Sequence, residues 1–562
     1  MACPPGRAGR DPLIYHESRA MMSVTEPSAP PTAPHLRRQG SATQLVVDGA
    51  PFLIIGGELH NSTSSDLAAL QPVWERLVGI GINTVLAAVS WELVEPNEGH
   101  FDWTLVDGLI AQARQHGLRL ILLWFGSWKN GASTYVPLWV KRDYRRFPRA
   151  RRQDGLAAEV LSLFADANRQ ADASAFATLL RHIRDVDGAH HTVIMVQVEN
   201  EVGLLGDTRD RSTAAQAAFA APVPRDLLDD LAAHRDELWP TLRERWEAHG
   251  WTTEGSWEEI FGASPETDEL FMAWHYARYI DAVAAVGKAE YDLPMFVNAW
   301  LNAVVALPGL PAGGKTPGDW PSGGALPHTM DVWLAGTPHI DLLCPDIYFG
   351  DFFDWCQQYT RRGNVLFIPE MDRTAIGARN GFFAIARHDA IGMSPFGIDS
   401  LESPEDGPLV RSYRLLRQLA PLILDHQGRG TMVGFVLDAE RPTVRYELGG
   451  YELEIATLRS FGGPTQPGYG LVISTGQDTF VGAGYGFQVS FRPTTPGPAQ
   501  VGLGAVDEGI FVDGQWVAGR RLNGDERQGW RFPLADPLAF PIPIPLLGAG
   551  TGISHCVVYR YE

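Results

Sequence analysis

Eight short, almost uninterrupted apolar runs recur through the middle of the chain, at residues 53–60, 84–91, 118–125, 193–198, 295–299, 340–344, 365–368 and 390–393. A strand that is apolar on both faces has to be covered on both, and a parallel sheet flanked by helices does this. The segments between the runs have helical periodicity. Leu70, Trp74 and Leu77 share one face of a helix predicted over about 65–78. A helix over 105–116 is followed by Gly117, which suits the left-handed residue that ends a helix. Further helices are predicted over 176–186, 225–238, 270–288 and 409–424. Eight strand–helix units predict an α/β fold, a (β/α)8 TIM barrel over residues 41–427, with a helical insertion around 204–290 between the fourth and fifth strands.

The flanks read differently. Residues 44–47 and 52–55 enclose Asp48-Gly49 and predict a hairpin with a type I′ turn. Residues 1–40 are rich in Pro, Ser and Arg and predict a disordered tail. The tail lacks the apolar centre of a signal peptide, so a cytoplasmic protein is expected, and Met21-Met22 offers an alternative start. Beyond residue 428 short alternating segments appear, at 432–437, 443–447, 451–455, 470–474, 486–491 and 500–506, with Asp513-Gly514 between 510–512 and 515–517. They predict an all-β, sandwich-like domain over 428–562, from whose central strands the proline-rich run 541–545 is excluded.

Composition narrows the function. The net charge is −20, which repels a phosphate backbone and argues against nucleic acid. No apolar run approaches the roughly 18 residues that span a bilayer, so no membrane partner is expected. Cys3, Cys344, Cys356 and Cys556 are scattered, which predicts reduced thiols. His190-His191 is the one histidine cluster and has no companion ligand spacing, so neither a metal nor a cofactor is expected. Homo-oligomerisation stays open.

Barrel enzymes carry their chemistry at the carboxyl ends of the strands. The fourth run ends Gln197-Val198-Glu199-Asn200-Glu201, and the seventh is followed by Pro369-Glu370. Two carboxyl groups facing each other across one mouth can bracket a glycosidic bond, one protonating the leaving oxygen while the other attacks the anomeric carbon. Tryptophans at strand ends could stack on a sugar ring. Trp91, Trp128 and Trp300 are candidates, whereas Trp74 and Trp124 are read as packing residues. Asn130, Asn298 and Tyr348 are further substrate-binding candidates, with Tyr348 placed to donate to the seventh-strand carboxylate. Asp346 and Asp372 are additional polar candidates, the latter a plausible ion-pair partner of Arg373.

Several runs resemble glycoside hydrolase family 35, the β-galactosidases. They are Gly56-Gly57-Glu58-Leu59-His60, Gly81-Ile82-Asn83-Thr84-Val85, Trp91 with Glu95-Pro96, Gly99–Trp103, and above all Gln197–Glu201. The resemblance covers about residues 45–424. It implies that Glu201 is the acid/base, Glu370 the nucleophile, and Asn200 a partner of the sugar 2-hydroxyl. The β domain resembles, more weakly, one appended in a divergent bacterial subgroup. Two places depart from the family. Ala88 stands where it usually has Tyr, and the third strand ends Phe125–Ala132 without the Glu that grips sugar hydroxyls, leaving Lys129 or Asn130 in its place. The expected function is therefore a retaining, exo-acting β-glycoside hydrolase, β-galactosidase-like, acting on a β-linked oligosaccharide or glycoside. A β-glucosidase or glucosyl-transferring enzyme is the alternative, and a non-catalytic carbohydrate-binding protein a third reading.

Overall fold

The computed structural model describes residues 32–303, 314–401, 407–458, 467–522, 524, 529–532 and 550–562. Eight parallel strands close into a barrel: β1 (Ile54–Glu58), β2 (Thr84–Ser90), β3 (Arg119–Lys129), β4 (Val193–Asn200), β5 (Met295–Trp300), β6 (Leu342–Ile347), β7 (Ile368–Met371) and β8 (Gly392–Pro395). Each is followed by its helix: α1 (Val73–Ile80), α2 (Thr104–Gln115), α3 (Asp166–Asp187), α4 (Pro265–Glu290), α5 (Met330–Gly336), α6 (Phe352–Tyr359), α7 (Ala375–His388) and α8 (Pro408–His426). Among the described residues no helix is long and apolar enough to cross a membrane.

The strands differ from the sequence reading mainly at their ends. β3 runs on to Lys129, and β6, β7 and β8 each begin and end later than their apolar runs. An apolar run marks the part of a strand inside the core, while backbone pairing continues into the polar mouth. Asp346 and Glu370 consequently lie within paired strands, opposite each other in register. The first predicted helix is broken at Gln71-Pro72 into Leu67–Leu70 and α1, because proline lacks the N–H that a continuous helix needs. The insertion before β5 contains four short helices between residues 213 and 261, and the segment predicted at 270–288 belongs to α4, the barrel helix itself.

At the amino-terminal end of the strands the barrel is closed by a three-stranded sheet, His35–Gln39, Ala42–Val47 and Ala50–Phe52. Asp48 (φ +52°) and Gly49 (φ +80°) form its type I′ turn, as the Asp-Gly pair predicts. The hairpin strand stops at Phe52, not at residue 55, because Ile54 already pairs within the barrel. The tail predicted over 1–40 is corrected at its end, where His35–Gln39 is a strand. Residues 1–31, with Cys3 and Met21-Met22, lie outside the described residues. Leu45 and Val47 pack into the barrel interior against Ile54, Leu86, Ile121, Ile194, Phe296 and Leu342. The Asp48 carboxylate ties this cap down by accepting from Arg119 (2.5 Å) and pairing with His191 Nδ1 (2.8 Å). The clustered histidine thus has a structural partner.

Among the described residues ten strands follow α8: β9 (Met432–Leu437), β10 (Thr443–Leu448), β11 (Tyr451–Thr457), β12 (Gly468–Gly476), β13 (Thr479–Tyr485), β14 (Phe487–Pro493), β15 (Gln500–Val512), β16 (Gln515–Arg521), β17 (Trp530–Phe532) and β18 (Ile553–Tyr561). They form a six-stranded sheet, β9-β12-β13-β18-β15-β16, and a four-stranded sheet, β10-β11-β14-β17. The sheets share a core that includes Phe435, Leu453, Phe487 and Trp530, which makes the unit a sandwich. Residues 541–545, excluded from central strands on sequence, lie outside the described residues. The sandwich sits on α7 and α8. Gly434 of β9 lies so near the Phe382 carbonyl that an added Cβ would be 2.6 Å from its oxygen, and Ser412 of α8 shares a hydrogen bond with Tyr469 (3.0 Å).

Candidate active site

At the carboxyl end of the barrel a cavity of about 240 Å³ is lined by Asn61, Lys129, Asn130, Glu201, Trp300, Leu301, Ala303, Asp346, Tyr348, Phe349, Glu370 and Phe396. Every lining residue belongs to the barrel or its loops. The two carboxylates singled out from sequence meet here. Glu201 follows β4 and Glu370 lies in β7, and each is less than a tenth exposed.

A hydrogen-bond network joins them. Asn298 accepts from the Glu201 backbone N–H (2.9 Å) and donates through Nδ2 to Asp346 (2.7 Å) and, at 3.4 Å, to Glu370 Oε1. Tyr348 donates its hydroxyl to Glu370 Oε2 at 2.9 Å. Burial, and then the charge of Glu370, push the Tyr348 phenol far above its usual range, so it stays protonated and acts as a donor. Both oxygens of Glu370 thus have partners.

Glu201 is held differently. Burial raises its carboxyl most and Glu370 adds to that, while Lys129 and a hydrogen bond with Asp346 act in the opposite direction; the result is about 7. A carboxyl at that value can hold a proton at neutrality and also give it up. Burial, followed by the charge of Glu370, pushes Glu58 and Asp346 well above the ordinary carboxyl range. Burial alone would depress the Lys129 ammonium, but Glu370, Glu201, Glu58 and Asp346 more than offset this, and its pKa is raised. Among the described residues it is the one cation whose charge acts on these four carboxyl groups, and it lies 5.1 Å from the centre of the Phe125 ring. Lys129 therefore stands, charged, where the sequence comparison left the third strand without its Glu.

Several buried polar atoms at this mouth have no partner among the described residues: both amide atoms of Asn200, both carboxyl oxygens of Glu58, Oδ1 of Asp346 and Oδ1 of Asn61. Buried polar groups are normally satisfied, so such a concentration calls for a hydroxyl-rich ligand or ordered water.

The structure brings together Glu201, Glu370, Asn130, Asn298, Trp300 and Tyr348 of the sequence candidates, with Asn200 buried beside them. It excludes two. Trp91 is fully buried and donates its indole N–H to Glu95 (2.8 Å), and Trp128 is fully buried against Tyr276 and Tyr279. Their positions at strand ends suggested exposure to the mouth, but the side chains turn outward into the barrel–helix layer. Trp74 and Trp124 are packing residues, as read. Asp372 accepts from the N–H of Thr374 (2.6 Å), the residue that caps α7, and forms no ion pair with Arg373 among the described residues. The sequence reading missed Glu58, although it lies at the end of β1 inside a quoted motif. The rule that found Glu370, a carboxyl closing an apolar run, would have found it. Asn61, Phe349 and Phe396 had no comparable signal.

Comparison with known proteins gives a consistent picture. The sequence profile of the glycoside hydrolase 42 family, described as Beta-galactosidase, matches residues 66–282. A second profile, described as a domain of unknown function, matches residues 409–533, spanning α8 and most of the sandwich. A β-galactosidase of Xanthomonas manihotis is 29% identical over 203 residues, or 35% of this chain and 31% of that protein. The chain thus spans about a third of the length of this curated relative. Similar solved structures include the β-galactosidase of the psychrophilic Marinomonas ef1 (14% identity, TM-score 0.44, 66% of this chain and 60% of that one). The β-amylase catalytic domain of Paenibacillus polymyxa is another (12% identity, TM-score 0.43, 62% and 93%). The family 35 resemblance is corrected accordingly. The profile that matches in the barrel is that of family 42, a second family of β-galactosidases, in which the motif ending at Glu201 falls inside the matched stretch. Glu370 lies outside it.

Proposed function

We propose that the chain is a retaining, exo-acting β-glycoside hydrolase, β-galactosidase-like, with Glu201 as general acid/base and Glu370 as nucleophile. The observation that carries this reading is the unequal treatment of two carboxyl groups in one cavity. Glu201 is poised near neutrality by burial, while Glu370 is supplied with donors from Tyr348 and Asn298. In the first step Glu370 attacks the anomeric carbon as Glu201 protonates the departing glycosidic oxygen, leaving a glycosyl ester on Glu370. In the second, Glu201, now ionised, removes a proton from water, which attacks the same carbon and frees Glu370 with the anomeric configuration retained. Asn298 links the two groups and Asn200 offers an unpaired amide to a sugar hydroxyl. A cavity of about 240 Å³ has room for a terminal sugar. The family 42 match and the Xanthomonas relative support galactose as that sugar.

Lys129 favours a second reading, a β-glucosidase or glucosyl-transferring enzyme, because an ammonium at the third strand end grips a different set of hydroxyls. Hydrolysis of nitrophenyl β-galactoside, β-glucoside and related glycosides, with the product anomer followed by NMR, tests both. A galactoside preference with retention is expected. A glucoside preference would transfer the assignment to the second reading, and sugar binding without cleavage of any glycoside would make the chain a carbohydrate-binding protein.

A further inference from the structure

Glu199 and Glu201 are two residues apart at the end of β4, a spacing that in a regular strand puts both side chains on one face. Here they point in opposite directions. Glu201 lines the cavity, whereas Glu199 is fully buried in the layer between barrel and helices. The backbone achieves this through two left-handed residues flanking Asn200, Glu199 at φ +64° and Glu201 at φ +43°. Neither is glycine, so both conformations are strained and persist only where the surroundings enforce them.

The neighbouring strand supplies the enforcement. β3 pairs with β4 at Trp124↔Val198 and again at Lys129↔Asn200, so residues 125–128 of β3 oppose Glu199 alone. A bulge of this size leaves ladder donors unpaired. The Glu199 carboxylate takes two of them, Ser127 N–H (3.1 Å) and Trp128 N–H (2.7 Å). Asp172 of α3 lies beside it and accepts from the Ser127 hydroxyl (2.6 Å) and the Trp124 indole N–H (2.9 Å). Burial, followed by the charge of Asp172, pushes the Glu199 carboxyl well above its usual range. Gly126 leaves room for the pair, since a Cβ there would lie 2.6 Å from Glu199 Oε1 and 2.8 Å from Asp172 Oδ1.

We propose that Glu199, braced by Asp172, is the positioning residue that aims Glu201 into the cavity, and that by gripping the β3 bulge it sets the height of Lys129 in the same step. Glu199 touches no substrate. It acts through the backbone of Asn200 and Glu201 on one side and of Ser127 and Trp128 on the other. The inference rests on the glycosidase reading above.

The test is kcat/KM for aryl β-glycosides of graded leaving-group pKa, in wild type, Glu199→Ala, Glu199→Gln and Asp172→Asn. Displacing the acid costs most where the leaving group needs its proton. Glu199→Ala is therefore expected to lose about 10²-fold on the poorest leaving groups, the scale of general-acid catalysis, and much less on dinitrophenyl glycosides, steepening the leaving-group dependence. Glu199→Gln, which keeps one acceptor oxygen, should fall between, and it carries the test if the alanine variant does not fold. A uniform loss across all leaving groups, or an unchanged slope in Glu199→Gln, would overturn the proposal. Wild-type protein that cleaves none of the glycosides would instead sink the glycosidase reading, and this inference with it.

Discussion

The two ends of the barrel are built from the same eight strands and solve opposite problems. At the amino-terminal end, Leu45 and Val47 of the capping sheet fill the interior, and the polar residue in their turn, Asp48, is paired with Arg119 and His191. At the carboxyl end, four carboxyl groups crowd around one ammonium, and Asn200, Glu58, Asp346 and Asn61 keep unpaired polar atoms. One end is filled with apolar side chains and pairs its turn carboxylate; the other gathers carboxyl groups around a cavity.

Substitutions at the two ends should therefore fail in different ways. The largest effect is expected from Glu370→Gly, which removes the proposed nucleophile. Turnover should drop on the order of 10⁴-fold or more with the melting temperature little changed. Added azide should restore the rate by occupying the vacated space, yielding a glycosyl azide of inverted configuration detectable by NMR.

At the opposite end, Leu45→Ala should lower unfolding free energy by about 2–5 kcal/mol, measured by denaturant titration, while leaving kcat within error. A fall in kcat without a fall in stability would break the comparison.

Lys129→Met tests the charge balance at the mouth. The ammonium lowers the Glu201 carboxyl, so its loss raises that pKa. In the wild type kcat/KM should decline as pH rises through about 7, where Glu201 gives up the proton it must donate. In the variant this alkaline limb should move to higher pH, with kcat/KM at the optimum reduced by roughly tenfold or more, the scale of losing a charged hydrogen bond. An unmoved alkaline limb would mean that Lys129 does not act on Glu201.

The smallest effect is one of stability. The Glu201 carboxyl is raised by burial to about 7, so the folded state holds its proton more tightly than the unfolded chain. Its contribution is intact below the unfolded value, near 4.3, and is lost as pH rises through 7. Glu201→Gln should therefore raise the melting temperature at pH 8 by about 2 °C or more and leave it nearly unchanged at pH 4. The same change should slow substrates with poor leaving groups far more than those with good ones.

Much of this was legible in the residues. Doubly apolar runs alternating with amphipathic helices specify a parallel sheet covered on both faces, and eight such units suit a closed barrel. Asp-Gly pairs at 48–49 and 513–514 mark turns, because left-handed backbone at two successive positions admits few other residues. A carboxyl at the end of a buried run marks a mouth, which is how Glu201 and Glu370 stood out. Which way a side chain turns at a strand end was not legible. Trp91 and Trp128 face the helices although their positions suggested the sugar, and Glu199 turns away from Glu201 against the strand's own period. Side-chain direction there depends on a bulge in β3 and on carboxyl contacts from α3, partners far away in sequence. The eight strands and their two carboxylates follow from local pattern. The electrostatics of the pocket, with Lys129 among four acids, exists only once distant strand ends converge in a space that water no longer screens.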